Sequence, residues 1–400
     1  MTILEDLTAT GGEYSPARKP RVQHPTGWEP GINTETGRIC VRSDDKPDEV
    51  AIDWTEWLAH FGFDSEHFTV LDDTVEVRSW DSNMGGGNIA TFYYYKAKIV
   101  KKALRILDAD LIKEIRSHKP LKRIAPIGEW SYIIALADLQ IGKKDGDGLK
   151  GLVERTLLSF DHLISDIRLA RKEGYEIGQV VLAGLGDIIE GCDGHYSMQT
   201  FSVELDRREQ VTVARRLLLR LVRDLSKEVD KLLITTVPGN HGEHRKDGKA
   251  FTSFGDNDDL AVFDQLADML RENKERYGNV TFMVPKNDLT VTIDIDGTIL
   301  GFAHGHQARN SGRDGLSHTK IWTWWTKQAH AKTAIGDADI LVTGHFHYYT
   351  AIQNGARTHF QAPPLDSTSE WYENTNGYAT NPGVLTFLVN GEGWKRQRIL

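Results

Sequence analysis

Residues 131–142 read Ser131-Tyr-Ile-Ile-Ala-Leu-Ala-Asp138-Leu-Gln140-Ile-Gly142. An apolar run of strand length that stops at a carboxylate and an amide predicts a buried strand ending at a polar edge. The same cadence recurs along the chain. Gln179–Leu185 runs into Gly186-Asp187, and Lys231–Val237 into Pro238-Gly239-Asn240-His241. Thr298–Ala303 runs into His304-Gly305-His306, and Ile340–Thr343 into Gly344-His345-Phe346-His347. Leu289–Ile295 and Val384–Val389 complete the predicted strands, and amphipathic segments near 149–173, 204–226, 257–274 and 316–332 predict helices between them. Strands alternating with long helices indicate an α/β layered fold.

In open α/β sheets, sites form beyond the carboxyl ends of the strands. Five predicted strand ends would therefore bring Asp138, Gln140, Asp187, Asn240, His241, His304, His345 and His347 to one rim. Mixed imidazole and oxygen donors suit Mn, Fe or Zn, and no cysteine stands among them to favour a thiolate site. Some seven candidate ligands over-supply one ion. Two ions about 4 Å apart, sharing a carboxylate, are the natural count for in-line displacement at phosphorus.

Asp138-x-Gln140, Gly186-Asp187, Gly239-Asn240-His241, His304 and Gly344-His345-x-His347 together resemble the motifs of the calcineurin-like metallophosphoesterases. The resemblance covers about 131–350. It implies a four-layer α/β/β/α sandwich over 126–400, with 1–125 as an accessory region containing a small α+β domain. It further implies that Asp138, Gln140 and His347 hold one metal, that Asn240, His304 and His345 hold a second, and that Asp187 bridges them. His241 would protonate the leaving group. The catalytic set is then His241, Asp187 and Asn240. Two departures stand out. Gln140 replaces the family's His, and its harder carbonyl oxygen favours Mn or Mg over Fe or Zn. Gly242 separates the Gly-Asn-His motif from Glu243, so the usual acidic support for His241 is displaced or missing.

Leu136-Ala-Asp-Leu-Gln-Ile-Gly142 is similar to the opening motif of the SbcD-type DNA-repair nucleases, and the chain also resembles phage-encoded members of the superfamily. This implies a DNA nuclease. A small-molecule phosphatase or cyclic-nucleotide phosphodiesterase is the alternative, and a non-catalytic module with a decayed metal site is a third. Candidate substrate contacts are Arg245, His195 and His306. Their plainer readings are a solvated loop for the first two and cleft lining for the third. Trp322 and Trp325 predict core packing, which would turn Trp324 towards a base.

The remaining chain bounds these readings. It has 400 residues, a net charge of −9 and two cysteines, Cys40 and Cys192. There is no global cationic field for nucleic acid. A disulfide framework is excluded, and the cysteine count fits a reducing cytoplasm. No apolar run reaches the roughly 20 residues of a membrane span. The Gly- and Pro-rich residues 1–30 predict an extended arm. Val50–Trp54 and Phe68–Leu71 read as short strands or turns, Val75–Trp80 and Ala90–Tyr95 as strands, and 97–117 as a helix. Between Lys96 and Arg123 stand ten Lys or Arg against three acids, preceded by Tyr93, Tyr94 and Tyr95. Patch 93–123 therefore suits nucleic acid, or equally a solvated helix face. Oligomeric state is left open, a homodimer included.

Overall fold

The structure is a computed structural model. It describes residues 24–33, 36–44, 52–63, 65, 68–85, 88–101, 108–120, 128–196, 199–246, 248–308, 317–367 and 381–400. Most of the expected arm, and residues 102–107 and 121–127 of the basic patch, lie outside this set. The chain forms two compact units, Met1–Lys102 and Ala103–Leu400. The second therefore begins earlier than the sequence boundary at 126.

In the first unit the elements are β1 (Gly31–Asn33), β2 (Arg38–Ser43), α1 (Trp54–His60), β3 (Phe68–Val70), β4 (Glu76–Gly85) and β5 (Asn88–Lys101). The sheet order is β1-β2-β5-β3, with β4 also paired to β5. Trp54 opens a helix rather than closing a strand, because the Asp53 carboxylate accepts the amides of Thr55 and Glu56. The helix expected over 97–117 is half strand. Tyr95, Ala97 and Ile99 are buried on one face of β5 while Lys96 and Lys98 alternate with them. That is a period of two, and it overrides the looser helical spacing.

In the second unit, α2 (Asp108–Ser117) precedes β6 (Trp130–Leu136), α3 (Gly148–Lys172), β7 (Ile177–Gly184), α4 (Arg207–Glu228) and β8 (Lys231–Thr236). A hairpin of β9 (Arg245–Lys246) and β10 (Lys249–Ala250) follows, then α5 (Asp258–Arg271), α6 (Lys274–Tyr277), β11 (Val280–Met283), β12 (Thr290–Ile295) and β13 (Thr298–Ala303). The last elements are α7 (Ser317–His330), β14 (Ile340–Thr343), β15 (Thr350–Asn354), β16 (Arg357–Gln361), β17 (Leu385–Asn390) and β18 (Gly393–Ile399). They build two sheets, ordered β11-β8-β7-β6-β17-β18 and β12-β13-β14-β16-β15. β15, β16, β18 and β11 are additions to the strands read from sequence.

Alternation along the strands sets the layers. Tyr132, Ile134 and Leu136 point into one core with Phe160 of α3, Leu218 of α4 and Phe263 of α5. Ile133, Ala135 and Val181 point the other way and meet Phe302, Val342 and Phe360 of the second sheet. The outer face of that sheet packs Leu341 against Ile321, Trp324 and Trp325 of α7. The unit is thus the expected α/β/β/α sandwich. A strand buried on both faces explains the continuous apolar runs. Trp324 joins this outer core at 8% exposure, so it does not turn towards a base. Leu111 and Ile115 of α2 belong to the first of these cores, which assigns α2 to the second unit. Among the described residues no helix is long and apolar enough to cross a membrane.

A buried ionic cluster ties β18 to α3. The Asp166 carboxylate accepts from Arg396 at 2.6 and 3.1 Å, from Arg398 at 2.8 Å and from the Tyr132 hydroxyl at 2.7 Å. Burial raises its pKa, but the Arg396 and Tyr132 hydrogen bonds overcome this and hold the carboxyl below its usual value. Its stabilising contribution is therefore present above the ordinary carboxylate range and lost as pH falls through the depressed native value. Asp166→Ala removes two of the Arg396 hydrogen bonds and leaves that guanidinium with Glu173 alone, and is expected to cost about 3 kcal/mol in urea unfolding at pH 7. The difference between variant and parent should shrink in acid.

Candidate metal centre

The motif residues lie immediately beyond five strand ends, and backbone hydrogen bonds tie the loops together. β6, β7 and β8 run parallel, as do β13 and β14. Gln140 donates its amide to Asp187 O at 2.9 Å, and Gly344 donates to His304 O at 2.9 Å. Asp138 Oδ2 accepts the His345 amide at 2.9 Å, so a side chain from one sheet fixes a loop of the other. Of eight described non-glycine residues in the left-handed region, five belong to this rim: Asp138, Gln140, Asp187, His345 and His347. Such backbone is costly and persists where surrounding contacts impose it. At Gly239 a Cβ would stand 2.1 Å from the Asp187 amide nitrogen, so only glycine fits.

One donor cluster is tight. His304 is fully buried, and its Nδ1 lies 2.7 Å from Leu185 O, which fixes the proton on Nδ1 in the neutral ring. Nε2 then aims a lone pair at Asp187 Oδ2 (3.0 Å), Asn240 Oδ1 (3.1 Å) and His345 Nδ1 (3.1 Å). The Asp187 and Asn240 oxygens and the His304 lone pair face one another with His345 Nδ1 beside them, and a cation among them would relieve their repulsion. Burial lowers the His304 pKa, yet the Asp187 charge raises it past that to about 9. Asp187, His304 and His345 offer ligand atoms all within 4.8 Å of one another. Their chemistry fits a divalent ion.

The second predicted metal position is arranged differently. Asp138 Oδ1 is buried without a hydrogen-bond partner, 3.4 Å from His347 Nε2. That pair fits a cation. Gln140 Oε1, however, accepts from the Lys143 ammonium at 3.3 Å. Lys143 also pairs with the buried carboxylate of Asp366. Neither Lys143 nor Asp366 was picked out from the sequence. Asp366 stands after Pro363-Pro364 with no motif around it.

His241 lies beside the cluster, its Nε2 3.9 Å from Asp187 Oδ2. Glu243 does not support it, since that carboxylate pairs with Arg245 at 2.8 Å. Support comes instead from Glu190, whose carbonyl and carboxylate lie 2.8 and 3.2 Å from His241 Nδ1. Burial lowers the His241 pKa, but Glu190 and then Asp187 raise it to about 10. Glu190 is a residue that motif reading passes over; its signal is an acid three positions beyond Gly186-Asp187. The His195 ring stacks on His241 at 4.2 Å between centroids, and burial pushes its own pKa down to about 3. His306 lies 5.3 Å from the His304 ring, with its Nδ1 buried and unpartnered. Arg245 is held by Glu243 rather than aimed at the cluster.

Asp259, at the start of α5, holds these loops from beneath. Its carboxylate accepts the amides of Asp187 (2.8 Å), Ile188 (3.0 Å), Ile189 (3.3 Å) and Gly239 (3.0 Å). Asn257 caps the helix and donates to Gly239 O at 2.9 Å. Burial and the nearby charge of Asp187 push the Asp259 carboxyl up to about 7, against the pull of the amides.

No family model and no curated protein matches this sequence. Among solved structures, similar chains include Vps29 from Entamoeba histolytica, 13% identical, covering 67% of this chain and 99% of that one at a TM-score of 0.30. A predicted phosphoesterase from Streptococcus pneumoniae is 11% identical, covering 68% and 98% at 0.27. An archaeal phosphodiesterase is 14% identical, covering 67% and 99% at 0.28.

Asp259→Ala removes the acceptor of four buried amides. It is expected to lower the unfolding free energy by about 3 kcal/mol or more in urea melts. Mn(II) affinity measured by calorimetry should fall as well, because the Asp187 loop loses its support.

Proposed function

We propose that the second unit is a metal-dependent phosphoester hydrolase acting on the phosphodiester bonds of nucleic acid, most plausibly DNA. The observation that supports this best is the cluster of Asp187, Asn240, His304 and His345 beside His241, whose Nδ1 is held by Glu190. Asp187, Asn240, His304 and His345 would hold one divalent ion, and Asp138 and His347, with Gln140, a second. Mn is the favoured metal, because the amide oxygens are harder donors than imidazole. The ions supply charge at the phosphoryl oxygens and acidify water.

The chain's own residues do the rest. Asn240 and His241 face the transferred group, where they can donate to its oxygens. His241 has Nδ1 committed to Glu190, so Nε2 is the atom that passes a proton to the departing oxygen. An ester of an alkoxide needs that proton more than one of a stabilised phenolate does. The stacked His195 restrains the His241 ring on one face. Asp187, fixed through both its amide and its carboxylate, keeps the metal cluster and His241 in register, since its Oδ1 accepts the His241 amide at 2.8 Å.

The test is hydrolysis with Mn(II) on bis-p-nitrophenyl phosphate, p-nitrophenyl phosphate and end-labelled DNA. Cleavage of the diester and of DNA is expected, and Asp187→Asn should abolish both. Diester cleavage without DNA cleavage would turn the reading to a small-molecule phosphodiesterase, and monoester cleavage alone to a phosphatase. An inactive chain that binds no metal would turn it to a non-catalytic module. Glu190→Gln is expected to shift the alkaline limb of the kcat profile to lower pH. Its charge raises the His241 pKa, and burial alone would lower it. An unmoved limb would remove His241 from the acid role.

A further inference from the structure

The first unit carries a surface that the proposed reaction does not use. Registers place Arg42, Tyr94 and Arg78 side by side across β2, β5 and β4, with Phe92 opposite Trp80 one step along. Lys96 lies beside Cys40, and Lys98 beside Arg38, on the same side of the sheet. The opposite side is the one that packs α1, through Ile39, Val41, Leu58 and Ala97. On the other side Cys40, Phe92 and Tyr94 form a thin buried layer, capped by partly exposed Trp28 and Trp80, and the segment from His24 to Trp28 crosses it, with His24 Nδ1 3.0 Å from the Tyr94 hydroxyl. The described cations of the stretch 93–123 divide between this sheet and α2 of the other unit, and Tyr94 and Tyr95 are buried.

Three cations sit over rings on this side. The Arg42 guanidinium is 4.5 Å from the Phe92 centroid, Arg78 is 5.7 Å from Trp80, and the Lys96 ammonium is 4.9 Å from Trp28. Such pairs occur roughly once per 70–80 residues, so three on one sheet face form a concentration. Acids there are few. Glu76 is paired with Arg38 at 2.9 Å, Asp44 lies 3.7 Å from Arg42, and Glu29 lines the cleft beside Arg38 and Lys96. Arg78 is exposed and makes no ion pair among the described residues. A cleft of about 550 Å³ adjoins, lined in part by Asn33, Thr36, Arg38 and Lys96.

We infer that this sheet face binds single-stranded nucleic acid, with bases stacking on Trp80 and Trp28 and phosphates meeting Arg42, Arg78 and Lys98. Two partly exposed indoles, Trp80 and Trp28, standing among cations offer what an unpaired strand needs, namely rings for bases and charges for its backbone. A duplex hides its base faces and has no use for the rings. The inference deepens the nuclease reading by naming the strand state, and it rests on that reading only in taking the bound strand as substrate.

The test is fluorescence anisotropy of the full chain in EDTA, where no hydrolysis intervenes, with labelled oligo-dT, oligo-rU and a duplex. Single strands should bind well above duplex, and the two homopolymers report whether DNA or RNA is preferred. Arg78→Ala together with Arg42→Ala should weaken binding and lower the salt slope by about 1.4, at about 0.7 per lost contact. Trp80→Leu keeps apolar bulk over Phe92 and should weaken binding about ten-fold with the salt slope unchanged. Circular dichroism checks that each variant folds. Equal duplex affinity, or full affinity in Trp80→Leu, would overturn the inference. So would a lack of binding at low salt, or self-association abolished by Arg78→Ala, which would assign the face to a second copy. Single-strand binding with no cleavage on adding Mn(II) would leave this face standing and remove the nuclease. Cleavage that survives in the non-binding variants would do the reverse.

Discussion

The Asp259 carboxylate is the contact on which the rim depends. It gathers backbone amides from the loops after β7 and β8, two segments that would otherwise leave four buried donors unmet. Asp187 can keep its left-handed backbone because its own amide is among those four. That conformation aims one Asp187 oxygen at His304 and gives the other to the His241 amide. The contact couples the placement of the His304 cluster to that of His241, so the two cannot drift apart independently. Its cost is electrostatic. Asp259 and Asp187 are both fully buried carboxylates, and the amide dipoles are what makes their proximity tolerable.

What was legible in the sequence follows from burial. Strands buried on both faces must be continuously apolar, so β6, β7, β8 and β14 announced themselves and their polar ends stood out. The ligand candidates were legible for the same reason, as each interrupts such a run. β15, β16 and β18 were missed because their patterns are mixed, with Arg357, His359 and Lys395 inside them. The end of β5 reads as helical because Ile99 also opens a helical spacing through Ala103, Ile106, Leu107 and Leu111, and only pairing to β2 and β4 settles the period. Glu190, Asp259, Lys143 and Asp366 were illegible for a deeper reason. Their partners lie up to 223 residues away, as between Lys143 and Asp366, and no local pattern encodes such a meeting.

Gln140 shows how one substitution alters its surroundings. An imidazole there would present a lone pair and, at most, one proton. A carboxamide presents a carbonyl that can accept from an ammonium, and Lys143 is placed to donate to it. Asp366 balances that ammonium, and its backbone is fixed because its amide donates to Asp138 O at 3.0 Å. The result is a polar network in which every charge has a counterpart close by. Any ion beside Asp138 and His347 would share its surroundings with a fixed ammonium, and its binding would be weakened by that charge.

The electrostatics of the rim constrain how an anionic substrate can be engaged. Asp138, Asp187, Glu190, Asp259 and Asp366 crowd the same loops. The nearby cations are already engaged, Arg245 with Glu243 and Lys143 with Asp366. Without added positive charge such a rim repels a phosphodiester, so metal must be in place before substrate is favourable there. The chain as a whole, at −9, offers no long-range attraction either. A phosphodiester can therefore be captured only where cations are left in excess. Among the described residues, one row of cations on a sheet face is formed by Arg42, Arg78 and Lys98, of which Arg42 has Asp44 3.7 Å away. On the proposed reading, capture and chemistry would fall to different surfaces, each with the charge its own task requires.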